Sequence, residues 1–181
     1  MIALISQNNM HTCDPANFEG WGKYVLVFSI LRDTGMRPIE LERTRVRDID
    51  LERGTITVRT AKGGVGRMVQ VKKQTLALLK AYLGKRSFGL NDRQFPKRRK
   101  MTGRWVRLRN TVAAKLMDPS FKTIRLYDLR YFAATMTYHK TRDILYTQKM
   151  LGHRKFQEHS EVRATGKLRG GRLHICSCRD R

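Results

Sequence analysis

Apolar positions crowd together from Trp21 to Arg32, in "WGKYVLVFSILR", densely enough for a helix buried on most of its faces. Asp33-Thr34-Gly35 then breaks the run. Thr34 is the N-cap expected for a short second helix carrying Glu40 and Leu41, with Pro38 tolerated in its first turn. Beyond it the period changes. Thr55-Ile56-Thr57-Val58 and Met68-Val69-Gln70-Val71 are β-rich runs, and Gly63-Gly64-Val65-Gly66 supplies a turn between them, which predicts a hairpin. Helical spacing returns in "QTLALLKAYL", Gln74 to Leu83. The next stretch, "GKRSFGLNDRQFPKRRKMTGRWVRLRN", reads as a basic loop passing into a helix around Thr102 to Leu116. "YDLRYFAATMTYHK" and "RDILYTQKML" predict two more helices, and Gly152 stands where a C-cap glycine is expected. The pattern defines an α+β class that is mainly α, one domain with a small antiparallel hairpin. From about Glu158 the periodicity stops, and Gly, Arg and Cys take over.

With 181 residues, 40% of them apolar, the chain has material for one ordinary domain that needs no disulfide or metal staple. Charge changes the picture more. Lys and Arg number 38 against 15 Asp and Glu, a formal net charge of +23. Such a field draws polyanions, and nucleic acid is the first partner it suggests; composition does not separate DNA from RNA. No apolar run reaches the roughly 20 residues that span a bilayer. "MIALISQNNMHTCDPANF" lacks the basic region and longer apolar core of a signal peptide. A cytoplasmic, DNA-associated protein with no membrane partner is therefore expected. Cys13, Cys176 and Cys178 are too few and too unevenly placed for a disulfide framework. Cys176-Ser177-Cys178 lacks the second pair that a zinc site would need, so no metal or other cofactor is expected.

Four short stretches carry the candidate chemistry. "TGMRPIEL" sets Arg37 at a helix start after a glycine turn, and "TAKGG" sets Lys62 at a hairpin tip. "YDLRYFAAT" sets Arg130 on a helix, on the face opposite Leu129 and Phe132. "LGH" sets His153 at a helix end, where the dipole favours a cation. Each alone reads as an ordinary surface charge. In this order and spacing they resemble the catalytic domain of tyrosine recombinases, the family of phage integrases, Xer-type recombinases and their archaeal relatives. The resemblance runs from about Trp21 to Phe156.

That resemblance implies a chemistry. A tyrosine hydroxyl cuts one DNA strand, leaving a 3′-phosphotyrosyl link and a free 5′-hydroxyl, with no ATP or metal. Arg37 and Arg130 match the family's two arginines, whose forked donors suit the nonbridging oxygens of a phosphate in a way lysine does not. Lys62 matches the hairpin lysine that protonates the leaving 5′-oxygen as general acid. His153 matches the third-box donor to the scissile phosphate, and Glu40 an acidic position that orients its neighbours. Tyr127 stands where the second box commonly has histidine; its phenol donates a hydrogen bond but does not exchange protons near pH 7 as imidazole does. Arg67, Lys97, Arg98, Arg99, Lys100 and Arg104 are assigned to DNA binding. The implied partners are double-stranded DNA and further recombinase subunits in a tetrameric synapse.

In the family the attacking tyrosine usually lies nine residues after the third-box histidine. Here that position holds Val162, and no tyrosine follows Tyr146. The chain is thus expected to bind a phosphodiester without cleaving it in cis. Read one base later, with Ser160 as AGY and Arg163 as CGN, the codons from Glu158 onward are compatible with Asn-Thr-Ala-Lys-Tyr, which restores a tyrosine over Val162. The expected division is a lead-in over 1–20, the catalytic domain over 21–157, and an atypical basic tail over 158–181 that is frame-shifted or replaced. Only 36 residues precede Arg37, too few for the family's N-terminal clamp domain, so a catalytic domain alone is expected. The alternatives are a non-catalytic, recombinase-derived DNA-binding protein and, more distantly, a basic RNA-binding protein.

Overall fold

The computed structural model describes residues 21–59, 66–85 and 87–152. Helix α1, Gly22–Thr34, carries Leu26, Val27, Phe28, Ile30 and Leu31, all essentially inaccessible to solvent. An apolar stripe this wide belongs at the centre of a fold, and α1 does pack against four later elements. It does not break at Asp33. Thr34 ends it, donating its hydroxyl to the Ile30 carbonyl at 2.7 Å and accepting the Met36 N–H at 3.3 Å. The expected N-cap role of Thr34 is thereby corrected: its hydroxyl closes the helix behind it. Gly35 supplies the left-handed residue, φ 64°, and its amide bonds back to Leu31. The first residue of the next turn is Arg37, and helix α2 spans Pro38–Arg43 with proline in its first turn.

A three-stranded antiparallel sheet follows in the order β1 (Ile49–Asp50), β2 (Thr55–Val58), β3 (Arg67–Gln70). Ile56 pairs with Val69 across β2 and β3, and both side chains face the core, as the period of two requires. Helix α3, Lys73–Gly84, buries Leu79 and Tyr82, the latter donating its hydroxyl to the Gln94 carbonyl at 3.0 Å. Asp33 holds this layer to α1, accepting from Thr75 at 2.6 Å and facing Lys72 at 3.3 Å.

Helix α4, Arg98–Lys115, starts four residues earlier than the apolar pattern predicts. Lys97 at the N-cap and three cations in the first turn oppose the helix dipole, which is why the stretch reads as loop. Two features offset that cost. Met101 and Trp105 are fully buried, Trp105 meeting Phe28 edge-to-face at 5.0 Å. The Glu42 carboxylate, reaching from α2, accepts the Arg98 N–H at 2.8 Å and so caps the helix. A 3₁₀ turn, Pro119–Thr123, leads to α5, Asp128–Thr141, and α6, Ile144–Leu151. Asp143 caps α6 by accepting from Leu145 and Tyr146 at 2.8 and 3.0 Å. Gly152 ends it in the left-handed region, φ 69°. The α+β, mainly helical architecture with a small antiparallel sheet is as the sequence predicts.

Gly35 does more than turn the chain. A Cβ built there meets Leu151 at 3.0 Å and Ala133 at 3.2 Å, so α6 and α5 close over it. Gly35→Ala is expected to cost about 1–2 kcal/mol from the left-handed backbone alone, and more from the crowding. The denaturant midpoint measures it; an unchanged midpoint would show that the corner relaxes freely.

Candidate functional site

The corner between α1 and α2 delivers Arg37, and the sequence immediately after it delivers a partner. Glu40, one turn along, accepts the Arg37 backbone N–H at 2.8 Å, so the carboxylate that caps α2 is also fixed in place as a site residue. Its other oxygen takes the Arg37 Nη1 at 3.0 Å. From the opposite side β3 presents Arg67, whose Nη1 and Nη2 reach the same two oxygens at 3.2 and 2.8 Å. Glu40 thus lies between two guanidiniums. Its side chain and that of Arg67 are each only 8% exposed, whereas Arg37 remains 36% exposed. Arg67, expected to face DNA, is turned inward and spends its fork on Glu40. Glu40 sits between the groups it was expected to orient.

Arg130 comes from the first turn of α5. The sequence reading placed it on the face opposite Leu129, and the structure corrects this. Leu129 and Arg130 are both buried, at 7% and 4% exposure, while Phe132 is 47% exposed. The reason is a pair of carbonyls that terminate other elements. Nη1 donates to the Gly35 oxygen and Nη2 to the Leu151 oxygen, each at 2.6 Å. These are helix-end groups with no partner within their own helices, and the guanidinium satisfies them from between. An arginine has five N–H donors in a planar fork, and two are committed here. Gly152 completes the packing, since a Cβ there would come within 2.8 Å of the Arg67 Nη1.

Electrostatics follow from this arrangement. Burial alone would push the Glu40 carboxyl up, but hydrogen bonds from Arg67 and the Arg37 amide, with the Arg67 charge, hold it below the usual carboxylate range. Arg37 is lowered by burial yet raised more by Glu40, and ends above its ordinary value. Arg130 has no carboxylate bonded to it. Burial first, then the Arg37 charge, push it down to about 10. It stays charged at neutral pH, and because its folded value is depressed, that charge opposes folding until the pH rises through about 10. Arg37 and Arg67 share the one Glu40 carboxylate, and Arg130 adds a third guanidinium to the cluster with no carboxylate of its own. The unbalanced positive charge is what an anion would neutralise.

Tyr127 immediately precedes α5 and is 40% exposed, its ring 5.6 Å from Tyr131 in an edge-on contact. Lys97, Arg98, Arg99 and Lys100 are exposed at the start of α4. Arg104 instead lies over the rings of Trp21 and Tyr24, 5.3 Å from each. Lys62, His153 and Val162 lie outside the described residues, as do Cys13, Cys176 and Cys178. Among the described residues no three His, Cys, Asp or Glu side chains gather as metal ligands. No helix among them is long and apolar enough to cross a membrane. Motif reading missed Arg109, whose Nη1 donates to the Ile124 carbonyl at 3.1 Å beside the Trp105 indole at 3.0 Å. The available signal was spacing: Arg109 stands one turn after the buried Trp105 and shares its face.

A small helical domain with a basic, partly buried arginine cluster is what fold and site together define. A model of the phage integrase family matches residues 8–161, and the chain belongs to that family. It is 31% identical over 134 residues to the tyrosine recombinase XerA of Saccharolobus solfataricus, covering 71% of this chain and 41% of that one. Against the XerA of Pyrococcus furiosus it is 30% identical over 131 residues, covering 71% and 45%. The chain therefore spans less than half the length of these curated relatives. The fold is similar to the crystal structure of XerA recombinase, with TM-score 0.60, 24% identity, and coverage of 82% of this chain and 59% of that one. It is also similar to the Tn1549 transposon integrase in complex with a circular intermediate DNA, with TM-score 0.65, 16% identity, and coverage of 88% and 57%. The fold is that of a tyrosine recombinase catalytic domain.

Proposed function

We propose that this chain is the phosphate-gripping domain of a site-specific DNA recombinase, able to hold duplex DNA but unable by itself to cut it. One observation carries the reading: Arg37 and Arg67 are bonded to the single Glu40 carboxylate and Arg130 lies near enough to feel the Arg37 charge, which leaves excess positive charge beside the partly exposed Arg37 fork. Arg37 and Arg130 are the grip. Arg67 and Glu40 are the brace that aims Arg37, and Tyr127 adds a donor at the rim. Preorganised donors of this kind need no reorganisation when charge arrives. Membership of the family supports DNA as the anion, and so do relatives solved with DNA, such as XerH bound to its difH substrate. Cleavage would require a hydroxyl nucleophile, and Val162 occupies the position where the resemblance expects one.

A nicked suicide duplex tests both halves. The purified chain should retain the duplex and form no covalent protein–DNA adduct. An adduct would overturn the assignment of Val162 to the nucleophile position. Arg37→Ala should weaken duplex binding and lower the dependence of log K on log salt by about one unit, the signature of one lost phosphate contact. Equal or stronger binding of structured RNA would instead favour an RNA-binding protein.

A further inference from the structure

Beside Arg37 lies a cleft of about 520 Å³, between α2, α4 and the segment that leads into α5. Its volume falls within the range of clefts that hold small ligands, roughly 300–1,000 Å³. Four arginines line it (Arg37, Arg98, Arg109 and Arg125), together with Trp105 and Tyr127, and no carboxylate lines it. Arg37 is bound to Glu40, and Arg125 has a weak exposed pairing with Asp128 at 3.4 Å. Among the described residues no carboxylate pairs with the side chain of Arg98 or Arg109. Arg109 has a further peculiarity. Its Nε is buried with no hydrogen-bond partner, while its Nη1 is anchored on the Ile124 carbonyl. Leaving a charged donor buried and unsatisfied costs more than leaving a neutral one, and the cleft beside it holds further arginines and no acid.

We propose that this cleft is a second phosphate subsite, holding the backbone phosphate next to the one held by Arg37 and Arg130, with Arg109 at its floor and Arg98 and Arg125 at its rim. The inference rests on the DNA-gripping reading and extends it to residues that no recombinase box contains. The spacing on α4 makes the subsite continuous: Arg98, Thr102, Trp105, Val106 and Arg109 form one stripe at helical period, leading from the exposed basic start of the helix toward Arg37. Trp105 is locked in the core and bonded to the same Ile124 oxygen as Arg109. The floor is therefore rigid before DNA arrives. A phosphate is the occupant that matches forked cations with no acid among them.

The experiment measures binding of the full chain to a random-sequence duplex across a salt series, alongside its melting temperature. Arg109→Gln should lower the salt slope by about one unit relative to the parent chain, and so should Arg98→Gln and Arg125→Gln to a smaller extent. Arg98 and Arg125 are exposed, so their variants keep the test alive if Arg109→Gln folds poorly. A lowered melting temperature with the parent slope would show that Arg109 only props the Ile124 carbonyl, and would overturn the subsite. Unchanged slopes in all three variants would do the same while leaving the DNA-gripping reading intact. If the parent chain itself fails to bind duplex DNA, the reading and the subsite fall together.

Discussion

A Glu40→Gln variant is expected to melt about 6–20 °C below the parent chain. The reasoning starts from burial: Glu40 and Arg67 are each 8% exposed, and the pair is bidentate at 2.8 and 3.2 Å. Removing one partner of a buried ion pair leaves the other charge uncompensated, at a cost of about 3–5 kcal/mol. For a domain of this size each kcal/mol moves the melting temperature by about 2–4 °C. Acid should mimic the mutation. The Glu40 carboxyl is held below its ordinary value of 4.5, so its contribution is present above about that pH and is lost as the pH falls through the lower folded value. A thermal melt checks the first claim, and a melt series from pH 6 to pH 3 the second. The variant should have no such acid limb attributable to this carboxyl. A Glu40→Leu, Arg67→Met double variant separates charge from shape, and it should recover much of the loss because well-packed apolar pairs replace buried ion pairs at little cost. A Glu40→Gln chain that melts within 2 °C of the parent would show that water, not Glu40, neutralises Arg67.

Arg130→Lys is the second large expectation, and the conservation of charge is its point. The guanidinium reaches two carbonyls on opposite sides, of Gly35 and Leu151, with one nitrogen each. An ammonium is a compact charge without a fork, so it satisfies one of them. The orphaned carbonyl costs about 1–3 kcal/mol, and the corner of α1 comes loose from the end of α6. Equilibrium denaturation should therefore show a loss of about 1–3 kcal/mol despite the unchanged net charge. Duplex affinity, measured below the variant's melting transition, should fall as well, because the donors left over for phosphate are no longer aimed. A chain that loses affinity but no stability would mean that the two carbonyl bonds are not structural. A chain that loses stability but binds DNA as before would remove Arg130 from the grip.

Much of this architecture was legible in periodicity. Ile56 and Val69 alternate as strand residues should, and α1 is apolar on nearly every face. What escaped has a common physical origin: cations in places where charge is usually solvent-facing. Lys97 to Lys100 hid the first turn of α4, because the cap that offsets their repulsion, Glu42, is 56 residues away in the sequence. Arg130 read as a surface residue because its partners are backbone oxygens, which have no letter in a sequence. Arg67 read as DNA-facing because nothing local indicates that Glu40, 27 positions earlier, lies beneath it. Arg37 sits where its sequence surroundings put it, just after a left-handed glycine corner and just before a proline at N1 of the next helix.

The Leu151 carbonyl and Gly152 fix where along the chain the arginine cluster is completed. Arg130 holds the first and Arg67 leaves no room for a side chain at the second, so the arginine floor is assembled wholly from codons 35 to 152. A lesion downstream of that point spares every one of its parts, whereas the resemblance puts the nucleophile's position beyond it. The cluster and the position where the resemblance expects a nucleophile therefore belong to separate stretches of the chain, so a change beyond residue 152 can alter the second without touching any contact of the first.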